Sequence, residues 1–277
     1  MIKGGIWWIT GASSGLGASM AKSFAAAGAN LILSGRNEAA LKSVAASCET
    51  ESLVLPFDTI DFDALPTIVD KAWSWAAERG KGVTGLINNA GVSQRSLAVD
   101  TVFDVYRRII DVDLLAPIAL TQAVLPRMVA VGGGHIVAVS SVAGLIGAPL
   151  RSAYSAAKHG LVGYNDVVRA ETDHLGVKVL VVAPGSIRTN VSKNALGATG
   201  QARGYSDDVI DQGMDPDIAA TRIREAVEAG TRELVLAEGM EADLVRLRRA
   251  DPNALFDTAA RMIAQGYAAK MGASRPS

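Results

Sequence analysis

The chain has 277 residues, 49% of them apolar, and sets 27 Lys and Arg against 28 Asp and Glu for a net charge of -1. That apolar share supports one ample globular domain over 1–277, and the charge balance excludes a nucleic-acid surface built on bulk positive charge. Cys48 stands alone, so no internal disulfide is expected and the cytoplasm is the expected compartment, while His135, His159 and His174 lack the spacing of a metal site.

An apolar run at 5–10 predicts a first strand, and the chain enters it so early that no signal or transit peptide is expected. Thr10-Gly11-Ala12-Ser13-Ser14-Gly15-Leu16-Gly17 follows, then an Ala-rich helix to Ala27. Strand, glycine turn and helix form the setting that a dinucleotide-binding fingerprint requires. Gly11 permits the sharp turn, Gly15 lets the backbone approach a pyrophosphate, and Gly17 lets the helix pack on the strand. The amides of this loop, Ser13, Ser14 and Leu16 included, sit at a helix N-terminus that favours an anion.

The second predicted strand, 30–34, runs into Gly35-Arg36-Asn37. An NAD site of this kind carries a carboxylate at that point for the adenosine ribose. None is present here, and the planar fork of Arg36 suits a phosphate, so NADP(H) is expected in preference to NAD(H).

Further strands are predicted at 52–56, 84–88, 134–140, 177–183 and 233–237. These apolar runs do not alternate, as befits strands buried on both faces. With helical patterns between them they predict an α/β fold, a doubly wound seven-stranded parallel sheet. No integral membrane segment is expected, since even 114–131 is interrupted by Pro117, Gln122, Pro126 and Arg127. The stretch 190–214 mixes small, polar and apolar residues without a period and reads as a mobile substrate lid. Beyond the last strand, 239–272 continues as amphipathic helices that cover the cleft, join subunits or lie on a membrane surface.

The chemistry concentrates at Ser141, Tyr154 and Lys158. A helix over 153–175 stacks Tyr154 and Lys158, four residues apart, on one face. A phenol becomes a useful proton donor at neutral pH only beside a cation, and Lys158 can be that cation. The Ser141 hydroxyl can donate to the same substrate oxygen and hold it.

These motifs, in this order, resemble the short-chain dehydrogenase/reductase family from residue 5 to about 238. The family's glycine turn matches Thr10 to Gly17, and its adenine-contacting Asp matches Asp58. Its Asn-Asn-Ala-Gly matches Asn88-Asn89-Ala90-Gly91, and its Ser, Tyr and Lys match Ser141, Tyr154 and Lys158. Pro184-Gly185 matches the turn that meets the nicotinamide, Thr189 the threonine that bonds its carboxamide, and Ile187 lies between them. The resemblance implies a single-domain Rossmann fold and hydride transfer between NAD(P) and a carbonyl or alcohol. It also implies a homodimer or homotetramer joined through helices near 101–131 and 153–175.

The substrate side, as the family places it, draws on Val92, Val142, Leu145, Ile146, Leu150, Ile187 and Val191, whose apolar character favours a hydrophobic ketone or aldehyde. One position departs from the pattern: Asp113 stands where the family carries an Asn that kinks its helix and holds a water leading from the Lys to solvent. An ionised Asp113 favours the charged lysine and offsets its field on the phenol. An NADP(H)-binding sensor with weak turnover is therefore an alternative, and an isomerase or dehydratase on the same scaffold stays open.

Overall fold

The computed structural model describes residues 2–273. Seven strands, β1 (Ile6–Thr10), β2 (Asn30–Ser34), β3 (Ser52–Val54), β4 (Gly85–Asn88), β5 (Gly134–Val139), β6 (Val177–Pro184) and β7 (Glu233–Leu236), form one parallel sheet. Their order is β3-β2-β1-β4-β5-β6-β7. The helices are α1 (Gly15–Ala26), α2 (Glu38–Ala46), α3 (Leu65–Ala77), α4 (Phe103–Ile110), α5 (Ala116–Ala130), α6 (Ser152–Thr172) and the single turn α7 (Asp208–Asp211). After them come α8 (Pro216–Glu228), α9 (Gly239–Ala250), α10 (Pro252–Ala264) and the short α11 (Tyr267–Lys270).

Both faces of the sheet are covered, which is why the strands read as unbroken apolar runs. Trp7 and Ile9 face one layer with Phe24 of α1 and Ile223 of α8. Ile6 and Trp8 face the other with Val69 of α3 and Val124 of α5. Trp7 lies opposite Gly85 in the neighbouring strand, and a Cβ on Gly85 would run into the indole. β3 ends short of the expected 56, where Pro56 has no N–H to extend the ladder.

The run 103–130 corrects one expectation. It is helical over 28 residues and contains a stretch of mean hydropathy 1.6, long and apolar enough by length and composition alone to cross a membrane. One face of it serves the interior of this fold, with Ile109, Leu120, Val124 and Met128 buried in core clusters. Asp111–Leu115 in its middle forms a π-helical turn. Pro117 cannot donate to the carbonyl of Asp113 four residues earlier, so the helix changes pitch where that bond is missing.

His135 of β5 packs against Trp7 with ring centroids 5.5 Å apart. Burial, reinforced by Lys178, pushes its pKa down to about 4. The unfolded chain therefore takes up this proton near the ordinary histidine value while the folded chain resists it. Stability is full above the ordinary value and declines as pH falls toward about 4. Denaturation midpoints between pH 6.5 and 5 should show this slope, at most about 1.4 kcal/mol per pH unit, and His135→Asn should flatten it.

Candidate active site

The strand order reverses between β1 and β4. Ligands of such sheets bind in the crevice outside the carboxyl ends of the strands at that reversal. Here a cleft of about 650 Å³ opens there, within the size range of small-molecule sites. Its floor is the glycine turn. Gly11 and Gly15 have φ of +64° and +52°, and a Cβ on Gly17 would collide with the Gly11 carbonyl. Ser14 caps α1 with extended backbone and makes no side-chain cap, so Gly15, Leu16 and Gly17 bring their first-turn N–H groups to the cleft wall beside Ser13. This cradle fits the pyrophosphate of a dinucleotide.

Thr10 joins the two halves of the cradle. Its hydroxyl accepts from the backbone N–H of Asn89 at 3.0 Å and of Ala90 at 3.1 Å. The Asn89 amide donates back to the Thr10 carbonyl at 3.0 Å. Thr10 was not among the expected site residues, although a hydroxyl at the end of β1 is the signal for it. Farther along the same cleft stand Gly35, Arg36 and Asp58. Arg36 is exposed and makes no ion pair among the described residues, whereas Asp58 closes its own turn by accepting from Ile60 N–H at 3.4 Å. Arg108 and Val112 also line the cleft. Their four-residue spacing places them on one helical face, a signal that was available in the sequence.

At the other end Ser141, Tyr154, Lys158 and Asp113 come together in the cleft wall with Ala90, Gly91, Pro184, Gly185, Ile187 and Thr189. Ser141 follows β5, accepts from Ala143 N–H at 3.1 Å and donates to the Pro184 carbonyl at 3.4 Å. Tyr154 and Lys158 share a face of α6, the Lys158 ammonium lying 5.6 Å from the centre of the phenol ring. The phenol hydroxyl makes no hydrogen bond to the described residues, so it is free for a substrate.

Lys158 is buried and donates to the Val139 carbonyl at 3.0 Å. Its ammonium is 3.2 Å from Oδ2 of Asp113, a residue wholly removed from solvent. Asp113 Oδ1 accepts from Val92 N–H at 2.8 Å. Burial raises the Asp113 carboxyl above the usual range, with Lys158 and Val92 N–H drawing it back. Burial alone would lower Lys158, but Asp113 and the phenol outweigh it and raise the lysine above its ordinary value. The spacing Asp113–Gly91–Lys158 is so tight that a Cβ on Gly91 would sit 2.9 Å from Asp113 Oδ2 and 3.5 Å from the ammonium.

A short chain dehydrogenase family model matches residues 6–199. The dehydrogenase/reductase SDR family member 7B of Bos taurus is 41% identical over 253 residues, 90% of this chain and 78% of that protein. The chain belongs to the short-chain dehydrogenase/reductase family. A short-chain dehydrogenase from Sphingobium yanoikuyae in complex with NADPH superposes with a TM-score of 0.75 at 26% identity, over 91% of this chain and 95% of that one. A short-chain dehydrogenase/reductase from Burkholderia phymatum in complex with NAD shares the fold, with a TM-score of 0.80 at 22% identity over the same shares of each chain.

The chain is thus an NAD(P)-dependent oxidoreductase, and the substrate side of this dehydrogenase/reductase differs from the expected one. Val92, Ile187 and Val191 line the cleft, but Val142, Leu145, Ile146 and Leu150 do not. Val142 and Ile146 are instead buried against Val245 of α9 and Leu255 of α10, with Leu145 packed on the same cluster. The tail helices thus cover that apolar surface. Asn190, Asn194, Leu196, Ala202 and Ile210 take their place along the wall.

The segment 190–214, which the sequence reads as a mobile lid, is tied down by buried charge. Asp207 pairs with Arg95 at 2.7 Å and Arg203 at 2.6 Å, and Ser192 donates to it at 2.7 Å. Burial pushes Asp207 up, yet Ser192, Arg203 and Arg95 together hold it below the usual carboxylate range. Burial and neighbouring Arg151 push Arg95 down to about 10, which leaves it charged at neutral pH.

Proposed function

We propose that this chain is an NADPH-dependent reductase of a hydrophobic ketone or aldehyde, reversible as an alcohol dehydrogenase. The observation that carries the reading is a phenol whose hydroxyl has no hydrogen-bond partner among the described residues, beside a buried ammonium, in the cleft that begins at the glycine turn. A nicotinamide held along the Pro184–Thr189 wall and by Lys158 would, when bound, supply hydride to the substrate carbon. Tyr154 gives its proton to the carbonyl oxygen, and Ser141 turns its hydroxyl from the Pro184 carbonyl to hold that oxygen. Lys158 keeps positive charge beside the phenol and binds the nicotinamide ribose.

Apolar Val92, Val191, Leu196 and Ile210 along the cleft support an apolar substrate. Arg36 beside Gly35, without an ion pair among the described residues and with no carboxylate at the end of β2, supports a phosphorylated adenosine ribose. Outward-facing Phe103 of α4 and Val167 of α6, 74% and 54% exposed, support subunit pairing into a homodimer or homotetramer.

The test is a panel of ketones, aldehydes and secondary alcohols followed by NADPH absorbance, with calorimetric titration of both cofactors. NADPH should bind more tightly than NADH, and Arg36→Ala should weaken NADPH about ten- to a hundredfold while sparing NADH, as loss of a charged hydrogen bond does. Equal affinities, or tighter NADH, would refute the role of Arg36. The Asp113–Lys158 pair favours one alternative, an NADP(H) sensor with little turnover. Tight cofactor binding without oxidation by any substrate, in parent and Asp113→Asn alike, would establish it.

A further inference from the structure

The tail reaches the reaction centre through one side chain. Glu241, in the first turns of α9, accepts from Ser186 N–H at 2.7 Å through Oε2 and from the Ser186 hydroxyl at 2.9 Å through Oε1. The same carboxylate fills the space beside Gly185, since a Cβ there would run into Oε2 and lie 3.0 Å from Ala237 Cβ. A side chain at residue 185 and a carboxylate at residue 241 therefore exclude each other. The turn so gripped carries Pro184 and Gly185 in the cleft wall, and the Pro184 carbonyl receives the Ser141 hydroxyl.

The rest of the tail secures the same region. Val245 and Leu255 pack against Val142 and Ile146 just beyond Ser141. Arg203 of the lid donates to the Met271 carbonyl at 2.8 Å. Backbone bonds also hold the turn, Gly185 N–H donating to the Leu236 carbonyl and the Ser186 carbonyl accepting from Met214 N–H, both at 2.9 Å, but the grip from the tail is bidentate and charge-assisted, the arrangement that fixes geometry best.

We infer that Glu241 is a positioning residue of the reaction: it holds the Pro184–Ser186 turn, which forms the cleft wall beside Ser141 and whose Pro184 carbonyl keeps the Ser141 hydroxyl at the cleft until a substrate oxygen takes it over. This rests on the reductase reading for its effect on turnover, but the grip itself is independent of it. Glutamine at 241 can still accept from Ser186 N–H and donate to the hydroxyl. Alanine can do neither. A misplaced reacting group costs up to about a hundredfold in rate.

The experiment compares Glu241→Ala, Glu241→Gln and Gly185→Ala with Asp251→Ala, which removes the cap that Asp251 gives α10 through Ala254 N–H and loosens the tail away from the turn. Four readouts are taken: kcat and KM with NADPH, NADPH affinity by titration, melting temperature, and hydrogen exchange of the 185–189 amides. Glu241→Ala should lower kcat about tenfold or more with a smaller change in KM, and speed exchange at the turn. Glu241→Gln should restore both to near the parent. Gly185→Ala should expel the carboxylate and mimic Glu241→Ala, and the double variant should be no worse than either single one. Asp251→Ala should lower the melting temperature and leave kcat and exchange at the turn unchanged.

Parent kcat and parent exchange in Glu241→Ala overturn the inference. So does loss of activity in Asp251→Ala and Glu241→Ala in proportion to their loss of melting temperature. Should the parent itself turn over no substrate, the reductase reading fails, and exchange at 185–189 together with NADPH affinity still decides whether Glu241 holds the turn.

Discussion

Tyr154→Phe should bind NADPH like the parent and lose turnover by about 10²–10⁴-fold, the contribution of a positioned proton donor. The substitution removes one oxygen and little else. The ring stays packed against the cluster of Val105, Ile109, Ala153 and Ala157, and its loss of a hydroxyl breaks no hydrogen bond to the described residues. The melting temperature should therefore hold, which separates lost chemistry from lost fold. Lys158 keeps its bond to the Val139 carbonyl and its pairing with Asp113, so this wall of the cleft is unchanged. Decay of NADPH absorbance with the preferred ketone measures the rate, and titration measures the cofactor. A variant that reduces that ketone at the parent rate would remove the phenol from the mechanism.

Local pattern made most of the scaffold readable before any coordinates. Strands buried on both faces leave unbroken apolar runs, as Ile6 to Ile9 show by sending alternate side chains to opposite layers. The glycine turn was readable because only glycine tolerates its positive φ and its close approach of backbone. Tyr154 and Lys158 lie on one helix, so their spacing alone brings them together.

What escaped the sequence depends on contacts between distant segments. Glu241 grips a turn 55 residues before it, and Arg95 pairs with Asp207 at a separation of 112. No periodicity encodes such pairings. Apolar character likewise could not say whether Val142 and Ile146 face a substrate or a neighbouring helix. The tail decided that by packing on them. The pitch change at Asp111–Leu115 is an intermediate case: Pro117 marks a missing donor, but only the packing of α4 and α5 shows that the helix continues through it.

Asp113→Asn should move the pH profile of turnover rather than abolish turnover. The amide oxygen can still accept from Val92 N–H, so the substitution changes charge with little change of shape. Lys158 is raised in the parent because the carboxylate and the phenol outweigh its burial. With the carboxylate gone, burial prevails and the lysine titrates lower. The sign follows directly. The charged lysine is the form that supports the phenol, so the alkaline limb of kcat should shift toward lower pH, by about one unit or more. Below that limb the ammonium is no longer offset by a buried anion 3.2 Å away, so its field on Tyr154 strengthens and turnover near neutral pH should rise severalfold. Rates from pH 6 to 10 in parent and variant measure both effects. Superimposable profiles would mean that the buried carboxylate does not act on the lysine, and a shift to higher pH would reverse the electrostatic order assigned to the site.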